Sequence, residues 1–280
     1  MKVSIIIPLY KDLVSLNLVL QAIQRQTYDK DKIEVIITED DDAKETIEFL
    51  KDWKNKLNII HLSQPDTGRN KVIAQNKAIA KATGKYLFFI DGDIVIFKHF
   101  IEYSLKIAKP KRILAGRRVN LDENTTKLIK EDKLDITDIE NNYFSFFWKN
   151  KNNRETRAEQ GIQLNPNSLL YKLISKRKRN GEILGCNFSC FKDDMIAING
   201  FDEGYGDSII GQEDTDLTWR FKGIGCELYS SKNIANCFHL WHKENPHPNI
   251  KQDKIDSELM KRKQQQKLYY CVKGVANHDL

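Results

Sequence analysis

A chain of 280 residues, 40% of them hydrophobic and with a mean hydropathy of -0.55, is long enough to bury a proper core in one large domain or two small ones. Its longest apolar runs fall well short of the ~20 residues a bilayer-spanning helix needs, which excludes a membrane helix. The formal charge of +6 is a modest excess, concentrated in Lys176-Arg177-Lys178-Arg179 and Lys261-Arg262-Lys263. Neither run lies in a recognisable nucleic-acid reader, so nucleic acid is not an expected partner.

The first part alternates strands and helices. Val3 to Ile7 reads as a strand ended by Pro8, and Asp12 as the cap of a helix with Leu13, Leu16, Leu20 and Ile23 at helical spacing. A strand over Ile33 to Thr38 runs into the acids Glu39-Asp40-Asp41-Asp42. A helix over Ala43 to Trp53 follows, with Ile47 and Leu50 inward, then a strand over Leu57 to Leu62. After the turn at Pro65-Asp66-Thr67-Gly68, Val72 to Ile79 mark a helix for which Gly84 is the expected C-cap. Tyr86-Leu87-Phe88-Phe89-Ile90 is a continuous apolar run, the pattern of a central parallel strand covered on both faces. It stops at Asp91-Gly92-Asp93, where ligands bind in open α/β sheets. Two adjacent carboxylates stay ionised most easily around a divalent cation, and their hard oxygens suit Mg²⁺ or Mn²⁺.

From about 120 to 180 the pattern loosens into a polar insertion containing the aromatic knot Tyr143-Phe144-Ser145-Phe146-Phe147-Trp148, read as a small satellite core. Regular structure resumes at Glu182 to Phe191, with a helix around Asp193 to Ile198. Glu213 and Asp214 open another helix after the glycine-rich loop Gly200 to Gly206. Late strands at Glu227 to Ser230 and Ile234 to His242 precede a charged tail with a helical middle. Within a strand, His239 and His242 point to opposite faces, so both can ligate one ion only if the segment bends or ends there. The five cysteines have no pairing or zinc-knuckle spacing and read as packed, reduced thiols. With no signal peptide at Met1 to Pro8, the expected location is the cytoplasm.

In order and spacing, these residues resemble the GT-A-fold family 2 glycosyltransferases. The resemblance rests on Ser4 to Tyr10, Glu34 to Ile37 running into acids, Ala82-Thr83-Gly84-Lys85-Tyr86 and Asp91-Gly92-Asp93. Gly185-Cys186-Asn187, Gly200-Phe201-Asp202-Glu203, Gly211-Gln212-Glu213-Asp214 and His242 make the carboxyl half similar to the galactosyltransferase-type region of chondroitin polymerases and β-1,4-galactosyltransferases. The fold this implies is α/β, a mostly parallel Rossmann-like sheet flanked by helices. The implied organisation is a nucleotide-sugar half at 1–119, an insertion at 120–182 that contacts acceptor or membrane, a catalytic half at 183–250 and a basic helical tail at 251–280.

The resemblance also implies roles. Pro8 and Tyr10 line a uridine pocket, and Glu39 or Asp40 contacts the uracil edge. Asp93 holds Mn²⁺ (or Mg²⁺) with Asp91 supporting it or binding ribose, His242 completes the metal shell, and His239 ranks below it. Gly92, Asn76 and Asn187 fall on the donor side. Asp214 is the general base and Glu213 contacts sugar hydroxyls. The implied reaction is inverting transfer of a hexose or N-acetylhexosamine from a UDP-sugar to a glycan or lipid-linked glycan, in lipopolysaccharide or capsule synthesis, with peripheral contact to an anionic membrane. Ala74-Gln75-Asn76 departs from the family's Ala-Arg-Asn, leaving Arg69 or Lys71 to supply a cation. Ile210-Gly211-Gln212 departs from Trp-Gly-Gly.

Overall fold

A computed structural model of the chain describes residues 1–41, 43–65, 71–175, 181–205, 212–243 and 250–278. The first strands are β1 (Val3–Leu9), β2 (Ile33–Glu39), β3 (Asn58–Ser63) and β4 (Tyr86–Ile90). They are followed by β5 (Ile94–Ile96), β6 (Arg112–Ala115), β7 (Val119–Asn120), β8 (Asn187–Phe191), β9 (Glu227–Ser230) and β10 (Cys237–His239). Seven of these form one sheet in the order β3-β2-β1-β4-β8-β6-β9, and the other three form a small sheet, β5-β10-β7. In the large sheet β8 runs antiparallel to both its neighbours, and every other pairing is parallel. Strands from both halves of the chain therefore share one sheet.

Helices α1 (Leu13–Gln24), α2 (Lys44–Lys54) and α3 (Lys71–Lys81) connect the parallel strands as βαβ crossovers. Asp12 caps α1 as expected, accepting from the Ser15 N–H at 2.9 Å. The β4 run explains the double coverage: Tyr86, Phe88 and Ile90 enter one core and Leu87 and Phe89 the other, all at most 1% exposed. Burying each such side chain contributes about 1.5–3 kcal/mol.

Several expectations shift. β1 continues through Pro8 to Leu9, because its pairing with β4 ends at Ile6 and no ladder bond on that side needs the missing N–H. In α2 the inward stripe is Thr46, Leu50 and Trp53, and Ile47 is exposed, rotated about 100° from Thr46. Gly84 is not a left-handed cap. Its N–H donates to Ser4 Oγ at 2.9 Å, and a Cβ there would meet the Ser4 nitrogen at 2.4 Å, so it is the close approach to β1 that demands glycine.

After α4 (Phe100–Ile107) the insertion is helical: α5 (Glu123–Lys130), α6 (Ile136–Asn141), α7 (Tyr143–Asn150) and α8 (Leu169–Ser175). The aromatic knot divides: Tyr143 and Phe146 pack against Phe238 of the core, while Phe144 and Trp148 stay exposed. Helices α9 (Lys192–Ile196), α10 (Gln212–Gly223) and α11 (Ile250–Gln266) complete the fold. The tail packs back on the molecule. Lys263 pairs with Asp202, and the Val275 N–H donates to the Asn199 carbonyl at 3.0 Å. All five cysteines are free and buried. Among the described residues no helix is long and apolar enough to cross a membrane.

Candidate active site

The site forms where β4 ends. The Asp91 N–H donates to the Cys186 carbonyl at 3.4 Å, and a tight turn then feeds β5, with Ile94 N–H on the Asp91 carbonyl at 3.1 Å. Strand β5 pairs antiparallel with β10, setting His239 opposite Ile94 and hence beside Asp93. Strand β10 ends at His239, and the Leu240 N–H beyond it donates to the Asp93 carbonyl at 3.0 Å. The condition for both imidazoles to reach one ion is met. His239 Nε2 and His242 Nε2 each lie 3.3 Å from Asp93 Oδ2, with ring centroids 5.2 Å apart.

One donor atom each from Asp93, His239 and His242 lies within 4.8 Å of the others, and Asp93 Oδ1 is buried with no hydrogen-bond partner. Burial acts to raise the Asp93 pKa. The hydrogen bond and charge of His239, then the charges of His242 and Arg118, outweigh it and hold the carboxyl below its ordinary range. A buried carboxylate with one orphaned oxygen beside two imidazoles fits a divalent cation, and the imidazoles favour a transition ion such as Mn²⁺ over Mg²⁺.

Asp91 faces a different neighbour. Lys71 Nζ, on the first residue of α3, lies 2.8 Å from Asp91 Oδ1. Burial acts to lower the Lys71 pKa, but Asp91, Glu213 and Asp214 raise it beyond its ordinary value and keep the ammonium charged. Gly92 brings β1 and this turn together, since a Cβ there would lie 3.1 Å from the Pro8 carbonyl oxygen.

Opposite stands the first turn of α10, carrying Glu213 and Asp214. The Gly185 N–H donates to Asp214 Oδ2 at 2.8 Å, while Oδ1 is buried without a partner. Burial is the main cause that raises the Asp214 pKa from 3.8 to about 6; Glu213 and Asp91 add to it, and the Gly185 N–H and Lys71 oppose it. The absence of a side chain at Gly185 leaves room for the Asp214 carboxylate, since a Cβ there would sit 2.5 Å from Asp214 Oδ1 and push it aside. The turn 184–187 thus holds both acidic groups, Asp91 through Cys186 and Asp214 through Gly185.

Helix α10 is anchored from beneath by Arg220, fully buried, whose Nε donates to Asp216 Oδ2 at 2.6 Å and whose guanidinium also donates to the Ile198 and Gly200 carbonyls at 2.8 Å. Breaking such a buried pair costs about 3–5 kcal/mol. The i,i+4 spacing of Asp216 and Arg220 is the sequence signal of this pair, whereas Arg118, whose charge acts on Asp93, has no such local signal.

The other expected site residues divide between the interior and the surface. Glu39 is fully buried, accepting from Thr46 Oγ1 at 2.5 Å with His61 Nε2 2.8 Å away, so its carboxylate is enclosed and does not face a ligand. Asp40 is half-buried at the strand end and receives the Gln64 amide, which is itself bonded by Lys77. Asn76 bonds across 125 positions to the Phe201 backbone in both directions, and to Glu203. Asn187 donates to the Arg117 and Ala235 carbonyls. Both amides are buried and spent on the interior. Tyr10 is exposed, with Lys11 Nζ 4.8 Å from its ring centre. Arg69 and Ile210-Gly211 lie outside the described residues.

The sheet, the carboxylates beyond its strand ends and the paired acidic turn define the GT-A class of fold. Residues 4–190 match the family Glycosyl transferase family 2, and residues 170–243 match the N-terminal domain of galactosyltransferase. The chain belongs to glycosyl transferase family 2. It is 30% identical over 105 residues to poly(ribitol-phosphate) beta-N-acetylglucosaminyltransferase TarS of Staphylococcus aureus, covering 36% of this chain and 18% of that protein. To glycosyltransferase AglE of Haloferax volcanii it is 28% identical over 100 residues, or 36% of this chain and 33% of that one. The chain thus spans a third or less of these curated relatives. Among solved structures, the mannosyltransferase PcManGT of Pyrobaculum calidifontis, in complex with GDP-Man and Mn²⁺, superposes with TM-score 0.60 at 15% identity, over 95% of this chain and 64% of that one. S. aureus TarS 1-349 in complex with UDP-GlcNAc gives TM-score 0.60 at 14% identity, over 99% and 69%.

Proposed function

We propose that the chain transfers a hexose or N-acetylhexosamine from a UDP-sugar to a glycan hydroxyl, with inversion at the anomeric carbon. The observation that carries this reading is the pair of orphaned buried carboxylate oxygens, one on Asp93 beside two imidazoles and one on Asp214, whose raised pKa suits a base working near neutrality. Asp214 takes the proton of the acceptor hydroxyl as its oxygen bonds to the anomeric carbon. The bond from that carbon to the diphosphate oxygen breaks, and its electron pair leaves with UDP. Asp93, His239 and His242 hold the cation, Mn²⁺ in this reading, which when bound neutralises charge on the diphosphate as a Lewis acid. Lys71 supplies a second positive charge beside Asp91, and Glu213 meets sugar hydroxyls. Pro8, Gly92, Tyr10 and Asp40 form the nucleoside side, with Asp40 preferred to Glu39 because its carboxylate is not fully enclosed.

The complexes of TarS with UDP and UDP-GlcNAc support a UDP-sugar. The name of that relative supports a surface-polymer acceptor, lipid-linked in this reading, and five free thiols support a reducing, cytoplasmic setting. A thermal-shift series with UDP-Gal, UDP-GalNAc, UDP-Glc, UDP-GlcNAc and GDP-Man, with and without Mn²⁺, tests the donor. Near saturation a UDP-sugar with Mn²⁺ raises Tm by about 5 °C or more. A shift confined to GDP-Man overturns the donor assignment.

Gly185→Ala checks the support of the base. The added methyl displaces Asp214, lowering kcat by about 10²-fold, since a 1 Å misplacement has that effect. The donor-dependent rise in Tm persists.

A further inference from the structure

Helix α8 carries an apolar face that nothing among the described residues covers. Leu169, Leu170, Leu173 and Ile174 are 74%, 55%, 54% and 37% exposed. At 100° per residue they fill an arc of about 140°. Tyr171, on the other side, is buried, its hydroxyl 3.1 Å from that of Tyr229 on β9, so the helix is pinned to the sheet edge with its aliphatic side outward. In sequence, Lys172 interrupts the stripe and Lys176-Arg177-Lys178-Arg179 follow it directly, with no acidic residue anywhere between Gln160 and Gly181.

We infer that α8 and the basic run after it dock the protein on an anionic phospholipid surface. Aliphatic side chains next to clustered cations, without acids, are what an acyl-headgroup boundary with negative charge selects. A protein partner fits less well, because interface cores are depleted of lysine. A seven-residue helix gives shallow, reversible attachment, and the basic run supplies the second signal such attachment needs. None of these residues is assigned a part in sugar transfer, and binding to the surface is read without a donor.

The experiment is flotation of the full chain with vesicles of phosphatidylcholine alone or mixed with phosphatidylglycerol, at low and high salt. The chain floats with the anionic vesicles, and salt weakens the binding. Leu170→Glu with Leu173→Glu lowers the partition coefficient about tenfold or more, and replacing residues 176–179 by alanine does the same while removing most of the salt dependence. None of these positions is among the residues assigned to sugar transfer, so both variants are expected to keep the Tm and the UDP-sugar shift of the parent. The inference is overturned if the parent chain ignores anionic vesicles or if both variants bind as the parent does. It is equally overturned if sedimentation velocity finds a dimer that the Leu170→Glu, Leu173→Glu variant abolishes, since that face then meets a second copy.

Discussion

Asp214→Asn removes about 10²- to 10⁴-fold of the transfer rate, the share of a positioned general base, and at the same time stabilises the fold. The two effects share a cause. Burial raises the carboxyl pKa from 3.8 to about 6, so the ionised form is disfavoured in the folded state. Protonated Asp214 gives stability that is complete below about pH 3.8 and lost as pH rises through about 6. Asparagine removes the penalty, so the variant's gain in Tm appears above that range and vanishes at acid pH. In the parent, kcat/KM falls with unit slope below the same pKa. Melting curves and a pH-rate profile of UDP release, on both proteins, check this. An equally active variant removes the assigned role.

Asp93→Ala is expected to lower metal-dependent turnover by about 10³-fold, since a Lewis acid at the leaving group contributes several kcal/mol and each 1.36 kcal/mol is tenfold. His239→Ala has a larger effect than His242→Ala. His239 is the better buried, at 14% side-chain exposure against 54%, and is fixed by strand pairing, whereas His242 lies beyond the end of β10. Initial rates across a Mn²⁺ titration separate the three variants: each raises the Mn²⁺ concentration needed for half-maximal rate, Asp93→Ala most.

The acids at the ends of β4 and at the start of α10 were legible because each follows a local pattern, an apolar run that stops or a helix that begins. Their relation to one another was legible only through family resemblance. What the sequence hid were partners distant along the chain. Glu39 looked like a ligand-facing acid at a strand end, but His61 and Thr46 enclose it. Asn76 and Asn187 looked like donor contacts, and their amides satisfy backbone carbonyls 125, 70 and 48 positions away. The two histidines could not be assigned to one ion by alternation, because their convergence depends on β10 stopping at His239.

The claim at the centre is that Asp93, His239 and His242 hold a cation that the diphosphate of the donor completes. Electron paramagnetic resonance of free Mn²⁺, titrated with protein in the presence and absence of UDP, measures it directly. Measured against UDP alone at each concentration, the free-ion signal is predicted to fall in a saturable way, more steeply with UDP, and to need a much higher protein concentration with Asp93→Ala. A signal with the parent chain and UDP no lower than with UDP alone, or the same loss with Asp93→Ala, contradicts it.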